Sequence, residues 1–437
     1  MKTTLKKISA LLIILTLLFT LTLSLSSCKA GSEEIYSKET LSENVSSEKN
    51  EDLDYVWEYL NNWDFPSFDK IKFKRAEEIY RDEYYKEIPS AYDLAIKVGN
   101  AFIENSYDSI DLKNTEKVTD ALISAFVAAI GDRYSFYRTN EQYDNYTEGM
   151  SGSFVGIGVS VRTSLSDGCI YVIEPLKNSP AKKAGILAGD LIYKIDGSLV
   201  SELGYTDSVN KIKGKSGTKV VVTVKRGDDI IDITVTRARV TELTVDYEID
   251  ENGVGYIDIN SFKDNTDDLF KEAIKYMKAN GAKAVIYDVR DNGGGYLDAV
   301  VNMLDYIAKD GVELVSFSND YGSPKKAKDG YFYNVPTVIL CNGATASASE
   351  LFTSGLRDIA TSQGFKVTIV GQKTYGKGVM QNTATFLDGS AITLTVAYYN
   401  PPSGVNYDGV GITPSVTVTG NAAQLEAAYA EANKLIN

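Results

Sequence analysis

Three short segments of the 437-residue chain carry residues of the kind that activate a hydroxyl group. In Asn342-Gly343-Ala344-Thr345-Ala346-Ser347-Ala348-Ser349-Glu350, two serines lie in a turn of small residues that leads into a helix. Such a turn lets a backbone or a substrate come close to a serine hydroxyl, as a nucleophile needs. It equally suits a helix N-cap, a place that serine and threonine favour. In Asp291-Asn292-Gly293-Gly294-Gly295 a glycine turn joins a strand to a helix, which exposes backbone N–H groups at a helix start and makes a place for negative charge. That feature fits an oxyanion hole, a phosphate-binding turn or a tight connection. Thr374-Tyr375-Gly376-Lys377-Gly378 sets one lysine between two glycines, with Gln381 four residues past it. By default such a lysine is a solvated surface charge.

Histidine is absent from the whole chain, which removes Ser-His-Asp and Cys-His triads, His-ligated zinc and phosphohistidine chemistry together. Any catalysis proceeds without imidazole. Cys28, Cys169 and Cys341 are too few for a disulfide scaffold and lack the CxxC spacing of zinc or redox sites. Neither a metal nor a cofactor is called for. With 45 basic against 59 acidic side chains the formal charge is -14, so nucleic acid is repelled by the chain as a whole. Gly214-Lys215-Ser216 looks like the end of a P-loop, but Val209 stands where its first glycine is required. Ser-x-x-Lys recurs along the chain, as at Ser46/Lys49, Ser179/Lys182, Ser216/Lys219 and Ser323/Lys326 in polar or turn-like surroundings, and carries no weight.

The elements that must position these residues follow from periodicity. From Thr241 the chain alternates as α/β units: a strand over Val254–Ile259, an amphipathic helix over 266–280 ended by Gly281, a buried strand over Ala284–Asp288, a helix over 296–309, and apolar strands over 337–340 and 367–370. Upstream, 151–240 alternates short β-branched runs with Gly, Pro and Asp turns, which predicts a compact β-rich module. Before it, apolar residues return at helical spacing, as in Val118, Leu122, Ile123, Phe126 and Ile130 ahead of Gly131, and predict a small helical domain over 54–150. Residues 28–53 are rich in Ser, Glu, Lys and Asn and predict a disordered tether. At the start, Lys2, Lys6 and Lys7 precede an apolar run from Ile8 to Leu25, the layout of a bacterial export signal over 1–27.

Two resemblances lie in these segments. Gly156-Ile157-Gly158-Val159, followed in order by Ser179-Pro180-Ala181, Ala184-Gly185-Ile186 and Gly189-Asp190, resembles a PDZ domain. There a Gly-apolar-Gly-apolar loop presents backbone N–H groups to a peptide's terminal carboxylate, and the peptide adds as a strand with its last side chain in an apolar pocket. Leu25-Ser26-Ser27-Cys28 resembles a lipobox, which implies a lipidated Cys28 and a membrane-anchored lipoprotein at the extracytoplasmic face.

From about Ala91 to Pro414 the whole arrangement closely resembles the carboxy-terminal processing peptidases, tail-specific serine proteases of family S41 with a PDZ domain. The matching stretches are Gly131-Asp132-Arg133-Tyr134-Ser135, the PDZ-like module, Asp288-Val289-Arg290-Asp291-Asn292-Gly293-Gly294-Gly295, Thr345-Ala346-Ser347-Ala348-Ser349-Glu350, Gly376-Lys377-Gly378, Pro402-Ser403-Gly404 and Gly411-Ile412-Thr413-Pro414. The resemblance implies an α/β multidomain fold: an N-terminal helical domain, a PDZ domain over 151–240, a protease core of the crotonase/ClpP-like kind over 241–420 and a C-terminal helix over 421–437. It puts the nucleophile on Ser347 and not Ser349, the general base on Lys377, the residue that orients the lysine on Gln381, and the oxyanion donors on the N–H groups of Ala348 and of Gly294 in preference to Gly293. Gly156, Ile157, Gly158 and Val159 are the implied substrate-binding loop. The implied activity is that of an exported serine endopeptidase that captures unstructured, apolar C-terminal protein tails through the PDZ domain, without a cofactor; a homo-oligomer stays open. Alternatives are a catalytically inactive PDZ adaptor on the same fold and a cell-wall peptide hydrolase.

A lysine serves as base only with a neutral amine, so its pKa must fall from near 10.4 to about 7–8, a shift worth about 4 kcal/mol that desolvation in an apolar cleft can supply. An uncharged Gln381 can hold the amine without favouring its protonated form. Two departures from the family pattern stand out. The spacing from Ser347 to Lys377 is long, with the extra residues assigned to a polar loop at Ala360-Thr361-Ser362-Gln363-Gly364, and Val405-Asn406-Tyr407 follow Gly404 where the family usually has a basic residue.

Overall fold

The computed structural model describes residues 37–45, 53–163, 168–318, 321–328 and 333–436. The expected export signal and Cys28 lie outside the described residues. The chain divides into two units, one formed by residues up to Arg81 with Ile88–Arg133, the other by Asp82–Glu87 with residues from Tyr134 onward.

The elements of the first unit are helices: α1 (Lys38–Val45), α2 (Val56–Asn62), α3 (Lys70–Glu83), α4 (Ala91–Asn105) and α5 (Thr115–Ala129). Apolar residues three and four apart turn one face of each helix inward, and the Phe73, Tyr80 and Phe126 rings meet edge to face in the core. Ser90 and Asn114 cap α4 and α5 by accepting hydrogen bonds from Asp93 N and Lys117 N. Of the disordered tether expected over 28–53, residues 28–36 and 46–52 lie outside the described residues, and Lys38–Val45 form helix α1 instead. Leu41 and Val45 are buried, and Val45 packs so closely on Gly99 of α4 that a Cβ there would meet it at 2.6 Å. Two apolar contacts four residues apart anchor the helix, whereas composition averaged over the whole segment hides them.

The second unit begins with β1 (Phe136–Arg138) and α6 (Asn140–Met150). The β-rich module follows: β2 (Ser153–Gly156), β3 (Val159–Thr163), β4 (Ile170–Pro175), α7 (Pro180–Ala184), β5 (Leu191–Ile195), β6 (Ser198–Leu199), α8 (Val200–Ile212), β7 (Lys219–Arg226), β8 (Asp229–Thr236) and β9 (Ala238–Thr241). Strands β3-β4-β5-β7-β8 form one antiparallel sheet with β6 beside β5, while β2 and β9 pair where the chain enters and leaves. Ile157, Val172, Ile192, Val222 and Ala181 fill the interior.

The remainder comprises β10 (Val245–Ile249), β11 (Val254–Ile259), α9 (Thr266–Ala279), β12 (Ala284–Asp288), α10 (Leu297–Ile307), β13 (Glu313–Phe317), β14 (Lys325–Lys326), β15 (Thr337–Cys341), α11 (Ala348–Gln363), β16 (Val367–Gly371), β17 (Val379–Thr385), β18 (Ala391–Asn400), β19 (Val416–Thr417) and α12 (Asn421–Ile436). The main sheet runs β10-β11-β12-β15-β16-β19, parallel from β11 on. Helices α9, α10 and α11 cover one face and α12 the other, which is why β12 and β15 are buried at every residue. A second sheet is built on β18, which pairs with β1, β13 and β17. Residues 360–363, expected in a polar loop, form the last turn of α11, with Ala360 buried and Gly364 as the left-handed cap at φ +76°. Ala360 continues the apolar face of the helix, and the chain leaves only at the glycine.

Three loops leave the C-terminal ends of β12, β15 and β16, which are neighbours in the parallel sheet. Loops at that end of adjacent parallel strands converge. These three carry the glycine turn, the small-residue turn and the lysine.

Candidate active site

Ser347 heads α11 with φ +58° and ψ −120°, a left-handed backbone state that costs a non-glycine residue energy and persists only when its surroundings hold it. What holds it is Glu350, which is fully buried. Its Oε2 accepts from Ser347 N at 2.9 Å and from Lys377 N at 2.8 Å; its Oε1 accepts from Gly376 N at 2.7 Å and from the Thr374 hydroxyl. One carboxylate therefore ties the serine turn to the lysine loop. Behind it Cys341 is buried, and that burial pushes its thiol up to about 12, so it is no rival nucleophile.

The two serines are held differently. Ser349 is buried and donates from Oγ to Asn292 O at 2.9 Å, a bond that fastens the small-residue turn to the glycine turn. Ser347 lines a cleft together with Lys377, Gln381, Gly293, Gly294 and Ala348. The Tyr399 hydroxyl lies 3.5 Å from Ser347 Oγ and donates to Lys377 O at 3.0 Å, and the Tyr407 hydroxyl lies 3.5 Å from Ser347 O. Burial holds both phenol groups well above their ordinary pKa, so they act as neutral hydrogen-bonding groups.

Lys377 rests with its amine 4.6 Å from the centroid of the Tyr134 ring, whose face attracts an ammonium group. The loop carrying the lysine is clamped by residues 406–411. A Cβ on Gly378 would come within 2.7 Å of Asn406 Oδ1, and one on Gly376 within 2.9 Å of Gly411 N. The two glycines are thus demanded by close approach. Asn406, one of the residues that depart from the family pattern, donates from Nδ2 to both Gly378 O and Tyr399 O.

Gln381 lines the cleft, and its Nε2 donates to Val379 O at 3.4 Å. A bulge between Met380 and Gln381 turns the strand there.

Gly294 departs from expectation. Its N–H donates to Asn292 Oδ1 at 2.9 Å, which engages the hydrogen expected to face an oxyanion. What Gly294 supplies is space: at φ +102°, its missing Cβ would stand 2.9 Å from Ser347 Cβ and 3.0 Å from Ala348 N. Asn292 is itself buried and donates to Ile259 O at 2.7 Å, which locks the turn. Ala348, the first residue of α11, has an N–H with no acceptor inside the helix. Gly293 and Gly295 line the same cleft and are the remaining candidates for a second donor.

In the β-rich module, Ile157 O accepts from Ala181 N at 2.8 Å and Gly158 O from Leu176 N at 3.0 Å. In a trans peptide the carbonyl and the following N–H point in opposite directions. The N–H groups of Gly158 and Val159 therefore point away from those partners. A groove lined by Gly156, Ile157, Gly158 and Val159 on one side and Val209 and Ile212 of α8 on the other runs past them. It has the apolar walls and the pair of backbone donors that an extended chain ending in a carboxylate requires.

Sequence reading gave Glu350 only as part of a motif, and gave Tyr399, Asn406 and Thr374 no role. An acidic residue three positions after the serine is the one signal that was available, as a capping-box pattern. The tyrosine reaches the site from a strand 52 residues away, and nothing local marks it.

Among the described residues, no group of His, Cys, Asp or Glu is placed to hold a metal ion, and no helix is long and apolar enough to cross a membrane.

Residues 253–418 match the model of peptidase family S41 and residues 154–236 match that of a PDZ domain. A probable CtpA-like serine protease of Staphylococcus aureus is 35% identical over 333 residues, spanning 74% of this chain and 64% of that protein. The corresponding protein of Staphylococcus haemolyticus is 34% identical over the same shares. The chain thus aligns with slightly less than two thirds of the length of these relatives. The photosystem II D1 C-terminal processing protease is a solved structure with 24% identity and a TM-score of 0.48, covering 82% of this chain and 96% of its own.

Proposed function

The chain belongs to peptidase family S41 and carries a PDZ domain, and on that premise we propose that it is a serine endopeptidase in which Ser347 is the nucleophile and Lys377 the general base. The observation that carries this reading is the buried Glu350 carboxylate, whose Oε2 accepts from the backbone N–H groups of both residues and so ties the serine turn and the lysine loop to one oxygen.

In the proposed reaction Ser347 Oγ attacks the scissile carbonyl as its proton passes to the neutral Lys377 amine. The oxyanion that forms is met by the Ala348 N–H at the start of α11, with the N–H of Gly293 or Gly295 as the second donor. Lys377 returns the proton to the departing amine, leaving an acyl-enzyme on Ser347. Water, deprotonated by the same lysine, releases the carboxylate product. Gln381, while its Nε2 donates to Val379 O, keeps Oε1 as a neutral acceptor that orients the lysine amine.

Substrates are unstructured protein chains with an apolar C-terminal residue, held by the groove beside Gly156–Val159 and cleaved within the segment that reaches Ser347. The export signal and a lipidated Cys28 would hold the enzyme at the extracytoplasmic face of the membrane. The test is incubation of the chain with a disordered protein of apolar C-terminus, beside its Ser347→Ala form, with a fluorophosphonate probe for the serine. Cleavage and labelling of the parent alone support the reading. An unlabelled parent that leaves every such substrate intact, with its fold verified by circular dichroism, ends it.

A further inference from the structure

Seen as a surface, the catalytic cleft is unusual for so acidic a chain. Its lining contains two basic side chains, Lys377 and Arg138, and no carboxylate. Lys377 has its task in the proposed chemistry. Arg138 has none.

Arg138 ends β1, and its guanidinium lies between two rings, 3.8 Å from the Phe136 centroid and 3.9 Å from that of Tyr146 on α6. The stack covers both faces of a planar group whose N–H donors all lie in its plane, so the edge is what remains for recognition. Its hydrogen bond to Thr393 Oγ1 is long, at 3.5 Å. Arg81, Arg226, Arg290 and Arg357 each have a carboxylate within 2.8 Å. No acidic side chain pairs with Arg138 among the described residues. Burial lowers the guanidinium's pKa from its ordinary value, the direction expected of a cation enclosed without a counter-charge.

The place is also telling. Arg138 pairs across β1 and β18 with Ala391, and Thr393 of β18 faces Thr383 of β17, their hydroxyls 2.9 Å apart. Gln381 and both of these threonines line the same cleft. An extended chain with its scissile bond at Ser347 and its backbone along β17 would carry a side chain to Arg138 a few residues away.

We propose that Arg138 is a specificity-determining residue, making the cleft select peptide segments that present a carboxylate at a subsite removed from the scissile bond. The inference rests on the peptidase reading. A planar, pre-stacked guanidinium with its edge open matches the two oxygens of a carboxylate, whether this belongs to an Asp or Glu side chain or to the peptide's own C-terminus.

The test uses the full chain and a set of peptides of one apolar sequence. Members carry Glu or Gln at each position in turn on both sides of the cleaved bond, and each is made with a free or an amidated C-terminus. kcat/KM is measured for the parent, Arg138→Gln and Arg138→Glu. For the parent, one Glu position, or the free C-terminus, should be preferred at least tenfold over its neutral counterpart; the former identifies a side chain, the latter the terminus. In Arg138→Gln that ratio should fall to near one, and in Arg138→Glu below one. Fluorophosphonate labelling of Ser347 in each variant confirms that the site is intact. A variant that loses labelling is replaced by Arg138→Lys, which must retain part of the preference. Equal turnover of acidic and neutral peptides by the parent, or a preference that survives in Arg138→Gln, overturns the proposal while leaving the peptidase reading in place. A parent that cleaves none of the peptides and is not labelled overturns that reading instead.

Discussion

A single buried carboxylate organises the site at the scale of the residue. Glu350 accepts from three backbone N–H groups and one hydroxyl, and a glutamine there would turn an NH2 group toward at least one of those donors. Leaving a buried donor unsatisfied costs about 1–3 kcal/mol. Glu350→Gln should therefore lower the stability of the second unit by about that amount and reduce kcat by roughly a hundredfold through misplacement of serine and lysine together. Thermal unfolding beside single-turnover kinetics checks this; a variant that unfolds like the parent and turns over at the parental rate contradicts it. The two serines separate in the same way. Ser347→Ala should abolish cleavage, whereas Ser349→Ala loses one buried bond to Asn292 O and should cost stability with only a mild loss of rate. If Ser349→Ala is as inactive as Ser347→Ala while still folded, the assignment within the motif is wrong.

Across elements, the end of the main sheet that bears the site also gathers negative charge. Asp246, Asp258 and Asp288 face one another across β10, β11 and β12 by register. Asp288 is neutralised by Arg290 and accepts from the Tyr256 hydroxyl at 2.6 Å, but burial first, and then Asp288 and Asp246, push Asp258 up to about 6. An acid with a raised folded pKa holds its proton in the native state after the unfolded chain has lost it, so stability falls as pH rises from about 4 to about 6 and stays lowered above. Asp258→Asn should hence melt above the parent at pH 7.5, by roughly 1–2 kcal/mol after allowance for solvent screening, with the gap closing below pH 4. A gap that is constant with pH would rule out this titration. This charge row shows where sequence reading stops. The strands Val254–Ile259 and Ala284–Asp288 were legible to the residue because both alternate or bury in simple patterns, as was the helix ended by Gly281. Which strands become neighbours, and so which acids face one another, is decided by long-range pairing that no window of sequence contains. The same reason separates Ser347 and Lys377, marked by local motifs, from Tyr399 and Arg138, which reach the cleft through β18 and β1, and from Asn406, which braces the lysine loop from a distant loop. Gly294 failed in another way: its motif was legible, but the Asn292 side chain that takes its N–H was not.

In the second unit as a whole, one helix borders two cavities. Glu148 and Gly149 of α6 line the groove beside Gly156–Val159, while Tyr146 and Met150 of the same helix line the catalytic cleft. No residue of α6 is buried, and Glu148 faces Lys213, at the end of α8, at 4.0 Å with both side chains largely exposed, a pair worth little in water. A helix this exposed, bordering both cavities, is the element through which a bound peptide would act on the cleft. Groove occupancy changes the cleft only if the tail binds more tightly to one position of α6 than to another. A tail peptide with an apolar last residue and a free carboxylate should then raise the turnover of a separate substrate too short to reach the groove, and the same peptide with an amidated terminus should do so only at much higher concentration, because its one neutral carbonyl oxygen accepts from the Gly158 and Val159 N–H groups more weakly than a carboxylate. Direct competition for the cleft has the opposite sign, since a peptide that merely occupies it lowers turnover. Glu148→Ala, which removes the contact with Lys213, should raise basal turnover and leave less for the tail peptide to add. Turnover unchanged across saturating free-acid peptide, with binding verified by fluorescence anisotropy, would leave the groove a tether and separate the two cavities in function as well as in space.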